Sequence, residues 1–401
     1  MVERDREPAI DNTRDVCSMY GFDLFCGAGG LTRGLLNAGI EVLVGFDLDV
    51  NCQRTYEENN PPAQFVSADL STLKVASIAK HMRRRRPEDM LLAGCPPCQP
   101  FSQQRRQIAA SRDAVLLGSF GRLVEALLPG QILVENVRGI AKVLGNSSFR
   151  RFLKTLERLD YKYVWGTLNA KWFGVPQNRW RLVLIAMRGT VPTLPDPQHG
   201  PDLTPYTTVR ETISHFPAIL AGGRHAKIPN HVAATITEPN LVRLRHTPHD
   251  GGDRRSWPAK LRLGCHTGDY EGHTDVYGRM FWDQPAPTLT GRCHSISNGR
   301  YGHPEQDRAI SLREAAALQS FPDEYVFHGS SKSIALQIGN AVPVVLAEAL
   351  GKHILALRAG THVTFRKHGQ HPSSSTDRKQ DTKRSLVSDM PNPLKRIAGG
   401  S

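Results

Sequence analysis

Short apolar runs alternate with longer segments of helical spacing along the first half of the chain. Four of these runs, at residues 20–25, 41–46, 89–94 and 131–136, read YGFDLF, EVLVGF, DMLLAG and QILVEN. A further apolar run, WRLVLIAM at residues 180–187, predicts a later strand. Buried strands that alternate with helices are typical of a parallel sheet covered on both faces. We therefore predict an α/β fold.

Helical spacing is clearest between the first two predicted strands. Leu31, Leu35 and Leu36 share one face of a helix, and Gly39 follows where a helix C-terminus favours glycine. Two later segments, SLREAAALQSF and QIGNAVPVVLAEALGKHILAL, are each predicted to form one helix. Residues 189 to about 290 are rich in Pro, Gly, His and Arg, which predicts a loop-rich second domain.

The net charge of the chain indicates which class of partner to expect. Lys and Arg number 51 against 38 Asp and Glu, for a formal net charge of +13. This balance favours a polyanion, most commonly nucleic acid, although it also serves solubility. No run of about 18 apolar residues is present, so we expect no membrane span. The charged N-terminus does not resemble a secretory signal, so we expect a cytoplasmic protein with reduced cysteines.

A glycine-rich turn, DLFCGAGGLTRG at residues 23–34, joins the first strand to the first helix. Such a turn lets a cofactor approach the backbone at the carboxyl edge of a sheet, although a tight structural turn is the alternative. Its G-x-G-G spacing departs from the dinucleotide fingerprint. Asp47 ends the second strand and Asp69 follows the third apolar segment, so together they predict an adenosine pocket. Each carboxylate alone is also typical of a helix cap.

The stretch GCPPCQPFS at residues 94–102 places Cys95 and Cys98 on either side of two prolines. A structural zinc site needs four ligands, and no second CxxC or Cys-x-His pair completes one. A redox pair needs a thioredoxin-like fold, which the surrounding sequence does not suggest. The prediction is a single thiolate at Cys98, with no metal. Pro96 and Pro97 stiffen its turn, and a following helix lowers its pKa.

Three polar residues are predicted to lie near this thiolate. Glu135 ends the neighbouring strand and, followed by Asn136, is suited to act as a general acid. Arg179 and Arg181 are two apart in QNRWR, so they project to the same side of an extended segment. Guanidinium groups recognise phosphate and carbonyl oxygens.

The ordered set DLFCGAGG, GCPPCQPFS, ENV, QNRWR and QIGNAVP resembles the DNA cytosine-5 methyltransferase family over residues 20–358. The resemblance implies a Rossmann-like S-adenosylmethionine-dependent sheet with one antiparallel strand and an inserted small target-recognition domain. The implied division is an N-terminal extension at 1–18, a catalytic and cofactor-binding domain at 19–188, a target-recognition domain with hinge at 189–335, a C-terminal helix at 336–359, and a basic tail, expected to be disordered, at 360–401.

The resemblance also implies a role for each motif residue. Cys98 would add to carbon 6 of a flipped-out cytosine, Glu135 would contact its ring nitrogen 3 and exocyclic amine, and Arg181, supported by Arg179, would hold its carbonyl oxygen. A loop at residues 99–113 would close on the DNA. The positions that match contacts to S-adenosylmethionine are Phe25, Gly27, Gly30, Asp47, Asp69, Pro97 and Asn340.

This chain departs from the family pattern beside the cofactor. Asp47 stands where the family usually has Glu, and Leu48 where it often has an aromatic residue, which predicts weaker cofactor affinity. The expected partner is double-stranded DNA, and the expected enzyme is a monomeric, nucleoid-associated bacterial methylase. One rival is the transfer-RNA methylating branch, but its Cys-Phe-Thr signature does not occur here. A silent DNA-binding module is the other, although binding alone would not require Cys98, Glu135 and Arg181 together.

Two groups of arginines are open to two interpretations. The run at Arg83–Arg86 could contact DNA or could form a solvated helix end. Arg279, Arg292 and Arg300 could likewise contact DNA or serve the structure of the second domain.

Overall fold

Seven strands form one sheet in the order β3-β2-β1-β4-β5-β7-β6 in the computed structural model, which describes residues 19–96, 106–137, 148–264 and 275–360. The strands are β1 Tyr20–Leu24, β2 Glu41–Asp47, β3 Gln64–Ser67, β4 Met90–Gly94, β5 Gln131–Val137, β6 Lys162–Asn169 and β7 Trp180–Met187. Strands β1 to β5 pair in parallel, and β7 pairs antiparallel with both β5 and β6. The five strands predicted from apolar runs and the single antiparallel strand are confirmed.

Helices cover both faces of this sheet. The helices of the described chain, including those of the region beyond the sheet, are α1 Gly30–Asn37, α2 Gln53–Asn59, α3 Val75–Met82, α4 Arg106–Leu127, α5 Ser148–Arg158, α6 Val209–Ile213, α7 Glu238–Arg245, α8 Leu312–Leu318, α9 Ser331–Asn340 and α10 Val344–Arg358. Side chains alternate along a strand, so Leu91 and Leu133 belong to one core while Leu92 and Val134 belong to the other. The continuous apolar runs are thus divided between two buried layers, and the predicted Rossmann-like α/β fold is confirmed.

The C-terminal part of the chain returns to the first half of the sheet through a close helix contact. A β-carbon on Gly34 of α1 would lie 2.4 Å from the β-carbon of Ala347 on α10. Glycine therefore lets these two helices approach closely. As the sequence predicts, α1 is followed by Gly39 in the left-handed conformation, with φ of +93°.

The single C-terminal helix predicted from QIGNAVPVVLAEALGKHILAL is wrong. The structure has α9 and α10 instead, separated at residues 341–343. Pro343 has no N–H to donate and restricts Val342 to extended backbone, so the helix ends before it and a new one starts after it. Residues 331–358 are long and apolar enough to span a membrane by composition, but 67% of their most apolar window is buried. These helices therefore belong to the protein core.

The chain beyond β7 is poor in regular structure, as its composition predicts. Its described part before α8 contains α6, α7 and short 3-10 turns. A third core packs around α8, where the buried guanidinium of Arg308 contacts both carboxylate oxygens of Glu314 at 2.7 Å. Ser311 and Glu314 form a capping box at the start of α8. All described residues fall within one compact unit, and the predicted domain boundaries remain predictions.

A buried carboxyl group lies beneath the glycine-rich turn. Asp23 on β1 is fully buried between β2 and β4. Its Oδ2 accepts a hydrogen bond from Thr32 Oγ1 at 2.7 Å, and that hydroxyl also contacts the Tyr56 hydroxyl at 2.9 Å. Its Oδ1 is buried without a hydrogen-bond partner among the described residues. Burial, aided by the charge of Asp47, raises the pKa of Asp23 to about 7.

This pKa predicts a stability that falls as the pH rises. The folded protein binds the Asp23 proton more tightly than the unfolded chain does. The stabilisation from this protonation is fully present below the ordinary pKa of an aspartate, and it is lost as the pH rises to about 7. Asp23→Asn keeps a neutral side chain and an acceptor for Thr32. Between pH 5 and pH 8 its free energy of unfolding should rise relative to wild type by about 3 kcal/mol, measured by urea denaturation.

Asp160→Asn is the matched control, because this exposed carboxyl has a lowered pKa and is ionised at both pH values. Its difference from wild type should not depend on pH over this range. A difference for Asp23→Asn that is equally constant would contradict a buried neutral carboxyl group.

Candidate active site

The turn after β1 contains glycines with different surroundings. A β-carbon on Gly29, whose φ is +89°, would lie 2.4 Å from the Asn60 side chain. One on Gly30 would lie 2.3 Å from the carbonyl oxygen of Val342. Gly27, with φ of +49°, has no described atom within 4 Å of that position. Gly29 and Gly30 therefore permit close packing, whereas Gly27 borders open space where a ligand can approach its backbone.

Asp47 holds this turn in place. Its Oδ2 accepts a hydrogen bond from Gly27 N at 2.8 Å, and its Oδ1 accepts one from Asp49 N at 2.9 Å. Burial raises the pKa of Asp47, and these backbone donors oppose the rise. Phe25 enters the turn with φ of +66°, and its N–H donates to Phe46 O at 2.8 Å. The predicted cofactor positions Phe25, Gly27 and Asp47 are thus brought together at the carboxyl ends of β1 and β2.

The remaining described cofactor positions lie on exposed chain. Asp69 follows β3, and its Oδ1 accepts a hydrogen bond from Ser71 N at 2.9 Å. Asn340 is exposed at the last residue of α9. Leu48 and Val50, just beyond β2, are 55% and 58% exposed and add apolar surface near Asp47. Exposed polar and apolar side chains therefore lie together with Asp47 among the predicted cofactor positions.

A buried ion pair lies at the carboxyl end of β5. The antiparallel register places Arg181 of β7 opposite Val137, so its side chain reaches Glu135 two residues away. Arg181 Nε lies 3.0 Å from Glu135 Oε1, and the two side chains are 11% and 8% exposed. Oε1 accepts no well-aligned hydrogen bond from the described residues, so the contact is chiefly electrostatic. Burial lowers the pKa of Arg181, and the charge of Glu135 opposes this shift.

The cysteine motif begins beside this pair. Asn136 Nδ2 donates to Pro96 O at 2.7 Å and so holds the chain that leaves β4. Burial raises the pKa of the Cys95 thiol well above its ordinary value, and the charge of Glu135 raises it further. Cys95 is therefore held protonated and is poorly suited to act as a nucleophile. Cys98, Pro97 and the first part of the predicted DNA-closing loop, residues 99–105, lie outside the described residues.

The two arginines of QNRWR have different surroundings. Arg179 is buried, and its guanidinium donates to the carbonyl oxygens of Leu289 at 2.8 Å, Gly339 at 3.0 Å and Ala341 at 3.1 Å. Arg181 pairs with Glu135 instead. Direct support of substrate by Arg179 remains a prediction.

Sequence reasoning assigned no role to two buried glutamines near Arg179. Gln177 Nε2 donates to Gln319 Oε1 at 2.9 Å, and both side chains are fully buried. Each glutamine follows apolar residues, in FGVPQ and AAALQ. A polar residue at the end of an apolar segment is the signal that could have identified them, because buried amides need partners.

The arginine run lies at the opposite edge of the sheet. Arg85 forms an ion pair with Glu41 at 2.7 Å, and Arg86 forms one with Asp89 at 3.0 Å. These residues precede the amino ends of β2 and β4, away from the carboxyl ends that carry Glu135 and the glycine turn. The geometry favours the structural interpretation of this run.

The three arginines of the second region differ in exposure. Arg279 is fully buried and donates to the carbonyl oxygens of Leu244, Thr247 and His303. Arg300 donates to Gly251 O at 2.7 Å and is largely buried. Arg292 is exposed. Of the three, Arg292 is the one available to a large ligand.

The chain matches the family model of the C-5 cytosine-specific DNA methylases over residues 19–356. Type II methylase M.HgiDII of Herpetosiphon aurantiacus is 39% identical over 347 residues, which cover 85% of this chain and 96% of that protein. Type II methyltransferase M1.HphI of Haemophilus parahaemolyticus is 35% identical over 344 residues, covering 85% and 87%.

A solved structure is similar in fold. A methyltransferase encoded within an E. coli prophage superimposes with a TM-score of 0.65 at 23% identity, covering 85% of this chain and all of its own. The match extends over both the sheet and the loop-rich region that follows it. The chain, with its glycine turn and its buried carboxylate–guanidinium pair, belongs to the C-5 cytosine-specific DNA methylase family.

Proposed function

We propose that this methylase transfers the methyl group of S-adenosylmethionine to carbon 5 of a flipped-out cytosine in a specific duplex DNA sequence, through a covalent adduct on Cys98. The observation that carries the proposal is the buried Glu135–Arg181 pair at the sheet edge where the glycine turn opens. A carboxylate oxygen without an aligned donor and an adjacent cation together match the polar edge of a cytosine ring.

The residues of the glycine turn fit the cofactor. Open space beside Gly27 allows close approach to the backbone, and Asp47 lies at the neighbouring strand end. S-adenosylmethionine, when bound, supplies an electrophilic methyl group. The residues that would hold it are Phe25, Gly27, Gly30, Asp47, Asp69, Pro97 and Asn340.

The chemistry follows from the weakness of carbon 5 as a nucleophile. Addition of the Cys98 thiolate to carbon 6 would push electron density onto carbon 5. Carbon 5 could then accept the methyl group that bound S-adenosylmethionine would supply, with S-adenosylhomocysteine as the leaving group. Glu135 stabilises the resulting enamine by hydrogen bonds to ring nitrogen 3 and the exocyclic amine, and Arg181 holds the carbonyl oxygen. Transfer of the carbon 5 proton to a base, such as water, would then break the bond between carbon 6 and sulfur, release the Cys98 thiolate and restore the ring. Base flipping is required because a cytosine stacked in the duplex cannot reach the thiolate.

The proposal includes a division of labour. Residues 189 to about 290 carry no proposed catalytic group and would read the DNA sequence, using side chains that reach base edges. The enzyme would act as a cytoplasmic, nucleoid-associated monomer on double-stranded DNA. The net charge of +13 favours binding to the negatively charged phosphates of DNA, which supports this partner.

Methyl transfer measures this proposal directly. Purified protein and labelled S-adenosylmethionine should methylate duplex DNA but not transfer RNA, and bisulfite sequencing of DNA from an expressing, otherwise unmethylated host should reveal one recurring site. Transfer to RNA alone would favour the transfer-RNA branch, and no transfer to either would favour a silent binding module.

Mutation of the two cysteines should have opposite results. Cys98→Ser should abolish methyl transfer because the hydroxyl is a far weaker nucleophile, whereas Cys95→Ala should retain it. Duplex DNA with 5-fluorocytosine at the target should trap a covalent adduct with wild type and Cys95→Ala, seen by denaturing gel electrophoresis. The single-nucleophile mechanism fails if the two variants lose activity alike or if wild type forms no adduct.

Glu135→Gln should separate chemistry from binding. The amide keeps the shape of the side chain but cannot carry the negative charge that pairs with Arg181 or donate a carboxylic proton. Single-turnover methylation should slow by about 10²-fold or more, while DNA affinity and the methylated site stay unchanged. A change of methylated site would instead place Glu135 in sequence recognition.

Arg292 offers a test of the DNA-facing surface. Because this guanidinium is exposed, we expect Arg292→Ala to weaken DNA binding and to reduce the slope of log affinity against log salt by about 1. Arg84→Ala, which removes an exposed arginine at the opposite edge of the sheet, is the control and should leave the slope unchanged. Equal effects from the two substitutions would mean that the contribution is one of net charge alone.

A further inference from the structure

Three buried polar side chains meet where separate segments of the chain come together. Gln177, Arg179 and Gln319 form a group that we call the junction cluster. Gln177 Oε1 accepts from Arg179 Nη1 at 3.4 Å, and Gln177 Nε2 donates to Gln319 Oε1 at 2.9 Å. All three are at most 2% exposed. Because these three side chains are so deeply buried, none of them can exchange a protein partner for bulk water. Displacement of one of them therefore displaces the others.

The junction cluster binds the recognition side through one residue. Leu289 N donates to Gln177 Oε1 at 3.1 Å, and Leu289 O accepts from Arg179 at 2.8 Å. Both polar backbone groups of Leu289 are therefore held by the cluster. The neighbouring Thr288 Oγ1 donates to Asn178 O at 2.7 Å. This segment leads within a few residues to the exposed Arg292.

The same cluster binds the break between α9 and α10. Gln319 Nε2 donates to Ile338 O at 2.6 Å, and Arg179 donates to Gly339 O and Ala341 O at 3.0 and 3.1 Å. Gly339 O lacks its helical donor because Pro343 has no N–H, whereas Ile338 O also accepts from Ala341 N at 3.3 Å. The three carbonyls belong to the end of α9 and the residue after it. They lie on both sides of Asn340, a proposed cofactor contact. The cluster thus fixes the backbone that presents Asn340.

The two bound segments also touch each other directly. A β-carbon on Gly339 would lie 2.1 Å from the carbonyl carbon of Thr290. No side chain separates them, so displacement of one backbone must displace the other. The chain from Arg179 to Arg181 makes a third connection. It leads into β7, and its Arg181 forms the ion pair with Glu135.

We infer that the junction cluster is a positioning device that couples the DNA-binding segment at Thr288–Arg292 to the cofactor contact at Asn340. The inference rests on the proposed function and deepens it. Ligand at either end restrains a backbone that the cluster shares with the other end. Binding of one ligand must then favour binding of the other, and by linkage the two effects are equal.

The test compares DNA affinity with and without a bound, unreactive cofactor product. Fluorescence anisotropy would use a duplex carrying the site mapped by bisulfite sequencing, in the absence and presence of saturating S-adenosylhomocysteine. In wild type the product should tighten DNA binding by about 10-fold, within the usual range for coupled sites. In Arg179→Lys, which cannot reach all three carbonyls, the factor should fall to about 2-fold or less.

Arg279→Lys is the matched control. Arg279 is also fully buried and also donates to backbone carbonyls, although it additionally forms an ion pair with Asp307. All of its partners lie outside both coupled segments, namely the carbonyls of Leu244, Thr247, His303 and Gln306 and the carboxylate of Asp307. It should keep the wild-type coupling factor at whatever cost in stability, which thermal unfolding would record. Gly339→Ala is a second test variant, since its methyl group separates the two backbones without removing a hydrogen-bonding side chain.

Loss of coupling in Arg179→Lys and Gly339→Ala, with coupling kept in Arg279→Lys, supports the inference. If Arg179→Lys does not fold, Gly339→Ala decides. Wild-type coupling in a folded junction variant, an equal loss in Arg279→Lys, or two ligands that bind wild type independently would each overturn it while leaving the proposed function intact. Failure of wild type to bind either ligand would overturn both.

Discussion

The antiparallel pairing of β7 with β5 is the constraint on which the rest of the site depends. It places Arg181 two residues from Glu135 in the register, so a guanidinium and a carboxylate meet at the carboxyl end of β5. Reversal of this one strand also brings the residues that precede it, Gln177 and Arg179, to the same edge. A parallel strand would have delivered them to the opposite edge. One reversed strand therefore assembles both the ion pair and the junction cluster.

Buried polar groups give this fold its specific contacts, at a cost in desolvation. Arg179 is fully desolvated, and burial lowers its pKa well below the ordinary value, yet three backbone carbonyls bind its guanidinium. Arg308 and Glu314 offset their burial by pairing with each other. Asp23 differs because one of its oxygens has no partner in the described chain, and burial raises its pKa to about 7, which favours the neutral form. The three cases show three ways of keeping an ionisable group inside a core.

Short backbone contacts order the glycine turn, where we propose that the cofactor binds. Asp47 accepts hydrogen bonds from Gly27 N and Asp49 N, so its carboxylate shapes the turn without any ligand. In the proposed cofactor site, the shorter acid is thus compatible with an ordered turn, while Leu48 presents an exposed aliphatic surface, against which adenine would pack less tightly than against an aromatic ring. The preorganised backbone would raise the affinity for the cofactor, whereas the reduced apolar contact would lower it.

The sequence by itself determined the sheet, the glycine turn, the motif residues and the loop-rich second region, because these depend on local periodicity and on residue types that few chemistries share. The break at Pro343 was also encoded locally, although the apolar run on both sides obscured it. Only the tertiary structure decided which arginine meets Glu135, which is bound by carbonyls, and which of Arg279 and Arg292 faces solvent. Residue type is the same in each pair, and the difference arises from the segments that supply the partner groups, which for Arg179 lie more than 100 residues away in sequence. Whether a side chain is buried, and which groups it contacts, depend on tertiary packing, which the local sequence pattern does not specify.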